Sequence, residues 1–347
     1  MAQPMITTVG GLATADADGV GLSQTAAAAQ YLVINGALAA GTFTANSICA
    51  SQTPAGAGDL LINGTLATTN PVAGAGGTAA AGGAVVRFPT PTRIYVTTAG
   101  DSSARTMTIT GTLQTPGTFG PGVVVSETFT APNTNTRAST KLYSTITSVS
   151  ISGAATGAIT VGHSGTATMD KARRVAITSA ADDSDITFTI AGTDWNNNPI
   201  SEVLTGGNGA AATSVLSYKT VTSVLTSAAG SGAIEVGSSA IADSPWVRFD
   251  DFLANSEVAI QCTVSGTANY TVRQTLEDPN YVTNQSPTAT YQWTPASVAW
   301  VDHPDTALVG ATATKQGGYA YAPIWAKVVL NSGTGTVTSV FRQAYMN

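Results

Sequence analysis

Two stretches, Arg93-Ile-Tyr-Val-Thr-Thr-Ala-Gly-Asp101 and Arg174-Val-Ala-Ile-Thr-Ser-Ala-Ala-Asp182, read as one strand written twice. In the same register, Thr106-Met-Thr-Ile-Thr-Gly-Thr112 aligns with Thr187-Phe-Thr-Ile-Ala-Gly-Thr193, again 81 positions on. Three further blocks match at an offset of 75. They are Ser126-Glu-Thr-Phe-Thr130 with Ser201-Glu-Val-Leu-Thr205, Tyr143-Ser-Thr-Ile-Thr-Ser-Val149 with Tyr218-Lys-Thr-Val-Thr-Ser-Val224, and Gly157-Ala-Ile-Thr-Val-Gly162 with Gly232-Ala-Ile-Glu-Val-Gly237. The lost positions fall where copy A carries residues 113–125 and copy B the shorter Asp194-Trp-Asn-Asn-Asn-Pro-Ile200. Both segments are rich in turn residues, and turns absorb length changes most easily.

Each copy reads as β. Met107 and Ile109, then Phe188 and Ile190, alternate with Thr, which places an apolar stripe on one face and hydroxyls on the other. Five or six such strands per copy predict a small antiparallel sandwich of the immunoglobulin-like kind. The chain around them divides into five parts: an extended arm over 1–25, a hairpin-rich region over 26–90, repeat A over 91–166, repeat B over 167–243, and a larger sandwich or jelly-roll-like domain over 244–347. The arm has no periodicity and is expected to order only on a partner. Residues 71–84 are Gly/Ala-rich and read as a flexible connector.

A shorter echo lies ahead of the repeats, where Leu32-Val-Ile-Asn-Gly-Ala-Leu-Ala39 matches Leu60-Leu-Ile-Asn-Gly-Thr-Leu-Ala67. Each places Asn-Gly after an apolar run, which predicts a tight hairpin. In the last part, Val258, Ile260, Cys262 and Val264 alternate, and four of the five Trp (Trp246, Trp293, Trp300, Trp325) supply an aromatic core.

Charged residues make up 10 % of the chain, well below the ~25 % of a typical soluble domain, and Thr, Ser, Ala and Gly take their place. The net charge of −6 and the scattered 14 Lys and Arg give no footprint for nucleic acid. No apolar window is long enough to span a membrane as a helix, and no Sec-type leader is visible at Met1. Cys49 and Cys262 have no CxxC partner; one disulfide or two buried reduced thiols are the alternatives, and reduced thiols are expected.

Reactive constellations are sparse, and the chain is expected not to be an enzyme and to need no cofactor. Asp182, Asp183 and Asp185 are the candidate ligands for a hard cation, against a plain hairpin tip. Copy A has only Asp101 in that place. Trp195, on what reads as an exposed turn, is the candidate contact for a partner or a glycan. His163 beside Ser164 lacks a nucleophile elbow and is expected in a solvent-facing loop. Asp302-His-Pro-Asp305 reads as a turn rather than a metal site. Glu127 and Glu202 occupy equivalent places in separate copies, so they are not expected to meet as a glycosidase pair.

The motifs Arg173-Arg-Val-Ala-Ile-Thr-Ser-Ala180, Thr187-Phe-Thr-Ile-Ala-Gly-Thr-Asp194, Ser201-Glu-Val-Leu-Thr-Gly206 and Tyr218-Lys-Thr-Val-Thr-Ser-Val224 carry a resemblance. They resemble a module recurrent in tailed-bacteriophage virion structural proteins. Ser244-Pro-Trp246, Gly266-Thr-Ala-Asn-Tyr-Thr-Val272 and Asn331-Ser-Gly-Thr-Gly-Thr-Val-Thr338 are similar to the segment that follows it, so the resemblance spans about residues 85–345. It implies a virion component assembled in a host cytoplasm without indicating its place in the particle. The leading expectation is a capsid decoration or capsid-attached protein, because sandwiches exposing few charges suit a symmetric lattice. The expected partners are itself, as a trimer, and the major capsid protein or other virion proteins. A tail, collar or fibre component and a glycan-binding adhesin are the alternatives. The family supplies no catalytic residues.

Overall fold

The computed structural model describes residues 4–10, 16–26, 28–40, 44–69, 84–113, 123–250, 257–278 and 298–343. The protein is all-β, with every strand pairing antiparallel. The one helical element among the described residues is a single 3₁₀ turn at Thr306–Leu308. The connector expected over 71–84 lies almost wholly outside the described residues, as does most of the longer copy A turn (114–122).

Three large cores form among the described residues, beside a small cluster of Val33, Tyr95 and Ala138, and each large core takes a strand from the first seventy residues. Unit A is a sandwich of two sheets. One runs Val123–Thr130, Thr106–Leu113, Tyr143–Ile151, Ala84–Thr92, Thr68–Thr69; the other runs Thr136–Ala138, Ile94–Thr98, Ile159–His163, Thr44–Gln52. Between them Met107, Ile109, Ile146 and Val149 meet Ile48, Ile94, Val96 and Val161, all fully buried. Unit B orders Pro199–Thr205, Thr187–Thr193, Ala211–Thr226, Thr166–Ser179 and Ala233–Asp243, with Asp16–Thr25 on the last of these. Unit C pairs Met5–Gly10 with Thr336–Gln343, then adds Val258–Ser265 and Lys315–Tyr319. The chain therefore visits C, B and A on the way out, and A, B and C on the return.

This path corrects the expected arm. Residues 5–10 and 16–25 are strands, and Val9 and Val20 are fully buried in the cores of C and B. Arg173, itself buried, donates to the Gly10 carbonyl (3.1 Å) while its fork grips Asp170, fixing the outgoing chain between B and C. Small residues hid these strands: in Asp16-Ala-Asp-Gly-Val-Gly-Leu-Ser-Gln-Thr25 few large apolar side chains mark a face.

The short echo is a structural repeat and serves the long one. Gln24 exchanges both amide bonds with the Val33 backbone (2.7 and 3.1 Å), and Gln52 does the same with Leu61 (3.0 Å each). Asn35 accepts from Leu22 N–H, and Asn63 from Ala50 N–H, both at 2.9 Å. The Asn-Gly pairs are thus not two-residue hairpin turns. Asn is a clamp, and Gly is needed for close approach: a Cβ on Gly36 would sit 2.2 Å from the Asp18 carbonyl oxygen, and one on Gly64 2.3 Å from that of Asn46. The first echo docks on copy B and the second on copy A.

Within the long repeat, kept residues make the same bonds. Glu127 accepts from Thr140 and Lys141 N–H (2.6 and 3.0 Å), and Glu202 from Val215 and Leu216 N–H (2.8 Å each). Ser139 bridges Ile94 N–H to the Lys141 carbonyl as Ser214 bridges Val175 N–H to that of Leu216. Tyr143 and Tyr218 donate to the Ile109 and Ile190 carbonyls. A sequence equivalence has become an equivalence of backbone clamps.

Unit C is not separate, as its composition suggested. Its strand Trp325–Ser332 pairs with the end of Ala233–Asp243 through Ala242↔Leu330 and Asp243↔Val329, so one sheet runs from B into C. The alternation of Val258, Ile260 and Cys262 faces inward as expected. Cys49 and Cys262 are free buried thiols, and burial pushes that of Cys49 up to about 12.

Candidate functional site

The B–C junction holds a cleft of about 330 Å³, walled by Trp195, Trp246 and Trp300 and floored by Asp243 and Lys327. Its parts come from distant stretches. Asp194 and Trp195 sit on the hairpin tip between Thr187–Thr193 and Pro199–Thr205, where Thr193 pairs with Pro199. Asp194 is buried and closes the tip by accepting from Asn196 and Asn198 N–H (2.8 and 2.9 Å), while Asn197 takes the left-handed conformation (φ 62°). Burial pushes the Asp194 carboxyl above the usual carboxylate range despite these bonds.

Trp195 is correspondingly not a free exposed ring. It is half-buried, with the ammonium groups of Lys219 and Lys171 at 4.7 and 5.6 Å from its ring centre. Across the cleft Trp246 and Trp300 meet edge to face, 4.9 Å between centres. Lys327 lies 4.4 Å from the centre of Trp300 and 5.9 Å from that of Trp246, and its ammonium pairs with Asp243 at 2.5 Å. Both partners of that pair are buried, so removing either leaves an uncompensated charge. Arg273, at the mouth, pairs with Asp302 at 2.7 Å.

The other candidates do not converge. Asp182 is exposed; it accepts from Ser184 N–H and Oγ and from Asn208 Nδ2. Asp183 points inward, fully buried, accepting from Ser231 N–H and the Ser179 hydroxyl; Asp185 faces solvent. Alternate carboxylates thus face opposite ways, and no cluster of three metal-ligating side chains occurs among the described residues. The run is also not a hairpin tip, because Thr166–Ser179 and Thr187–Thr193 are not neighbours in the sheet.

His163 is not in a solvent-facing loop. It closes the strand Ile159–His163, half-buried beside Phe88, with Nδ1 2.8 Å from Ser47 Oγ. His303 is buried against Tyr319, and its Nδ1 accepts from Asp305 N–H at the 3₁₀ turn, while Asp302 reaches Arg273 instead. Glu127 and Glu202 hold backbone in their own units.

Sequence reading missed Trp246, Trp300, Asp243 and Lys327 as members of one site. The crowding of Trp after residue 243 was the available signal, and it was read as core. Scans of protein-family models, of curated proteins and of solved structures give no match to this chain.

Proposed function

We propose that the chain is a non-enzymatic structural protein of a tailed-bacteriophage virion, a capsid decoration or capsid-attached protein that binds and stabilises the head lattice. The observation that carries this reading is the fate of the residues kept in both copies. Glu127 and Glu202, Ser139 and Ser214, Tyr143 and Tyr218 all hold backbone, so duplication multiplied a scaffold. The module resemblance supports the same reading. Each copy, with its N-terminal echo, is proposed to be an immunoglobulin-like sandwich, and unit C a jelly-roll-like one.

Association surfaces are available. Val123–Thr130 and Pro199–Thr205 are the outermost strands of their sheets, and Val123, Val124 and Val203 stand mostly exposed along them. Such edges accept strands or apolar surface from another subunit, in keeping with a homotrimer on a symmetric lattice. The test is quantitative mass spectrometry of purified particles. Copy numbers comparable to the major capsid protein support decoration, a small fixed number per particle supports a tail or collar place, and absence from the particle ends the proposal.

A further inference from the structure

We propose that the B–C cleft is a binding site for a neutral saccharide, with Trp195, Trp246 and Trp300 as its stacking walls. Its volume of about 330 Å³ sits at the lower end of the roughly 300–1,000 Å³ of small-ligand pockets, room for about one or two sugar rings. Three half-buried indoles line one opening, and an indole offers a flat apolar face and an N–H donor, the combination that suits a ring with apolar C–H faces and a polar hydroxyl rim.

Charge decides the ligand class. The lining contains two carboxylates, Asp194 and Asp243, and two cations, Arg273 and Lys327, both already paired. Lys171 and Lys219 lie over Trp195 outside the lining, and Lys219 is held by the Met169 and Asp170 carbonyls. Three Trp with acidic neighbours would otherwise suit a quaternary ammonium. Here Lys327 already fills that place, 4.4 and 5.9 Å from two of the ring centres, and it would repel a second cation. An anion would meet Asp194 and Asp243 at the site and a net charge of −6 on approach. A neutral polyol meets neither obstacle. It can use the donors and lone pairs that each charged group has beyond its ion pair.

The site joins what the duplication did not copy. Asp194 and Trp195 occupy the turn that differs in length between the copies, and Val215 and Leu216 on the near wall replace Thr140 and Lys141 of copy A. The inference is independent of where in a particle the protein sits.

The test uses the full chain on an array of neutral, anionic and cationic glycans, followed by fluorescence titration with the best neutral oligosaccharide and, in parallel, with choline and sialyllactose. Saturable binding of a neutral oligosaccharide is expected, weakened at least tenfold in Trp195→Ala and in Trp300→Ala, with choline and sialyllactose inert. Trp195→Ala lies on a hairpin tip and keeps the test valid if Trp300→Ala fails to fold, which circular dichroism checks. No neutral glycan bound, a response to the charged probes alone, or binding unchanged in folded Trp195→Ala would each overturn the proposal.

Discussion

Copies A and B share a plan but not its continuity. In B, Thr166–Ser179 and Ala211–Thr226 run unbroken. In A the equivalent strands are interrupted, at Arg93 and over 139–142. Arg93 lies in its own gap, donating to the Ser139 and Thr140 carbonyls with its guanidinium 3.4 Å from the centre of the Tyr31 ring. Both versions keep apolar residues at the same inward positions and the same Glu, Ser and Tyr clamps. The fold of a copy is thus set by its apolar stripe and its backbone clamps, and strand continuity is dispensable. What distinguishes the copies is location: among the described residues B, and not A, shares a sheet with unit C, and there the Trp cleft forms.

The comparison can be broken most severely by removing residues 1–25. This takes Asp16–Thr25 from B and Met5–Gly10 from C but leaves A with its own early strand, Thr44–Gln52. Amide exchange protection should survive in 84–163 and collapse in 166–243; equal loss in both would show that the copies do not depend on separate early strands. Next come the paired glycines. A Cβ on Gly192 would lie 1.9 Å from the Thr220 carbonyl oxygen, and one on Gly111 2.0 Å from that of Thr145. Each Gly→Ala change should cost about 3 kcal/mol in urea unfolding, since backbone cannot yield as a side chain does.

Glu202→Ala and Glu127→Ala sharpen it further. Each strands two backbone N–H groups, so each should cost about 2 kcal/mol, and matched values would confirm equal clamps. The smallest effect is acid sensitivity. Burial holds His163 in A and His303 in C below the usual imidazole range, and B has no His. The unfolded chain, titrating near pH 6.5, then takes the proton first, so A and C should lose stability as pH falls below about 6.5. His163→Gln should abolish that slope in the exchange protection of A and leave the slope in C.

The duplication was legible because a repeat keeps its register in the chain, and the all-β class because Met107, Ile109, Phe188 and Ile190 alternate. The outgoing strands were not. Their partners lie hundreds of positions away, and in Asp16–Thr25 few large apolar side chains mark the buried face. The site was half legible. Trp195 stood out, but the lysines over it come from two other strands of B, and Trp246 and Trp300 converge on it only through the shared B–C sheet. Asp183 looked like a ligand and is a buried acceptor for Ser231 N–H, a distinction that depends on which way one side chain faces.

The out-and-back path also imposes an order in time. Thr8 meets Thr338 across 330 positions. At ~5–20 residues per second, translation leaves the Met5–Gly10 strand waiting roughly 20–60 s for its partner, after A and B can already have closed. A strand left open that long can be captured by Thr336–Gln343 of a neighbouring nascent copy in the same register, producing exchanged dimers. Ribosome spacing on the message, as much as the native contacts, would then set how many chains complete themselves and how many complete one another.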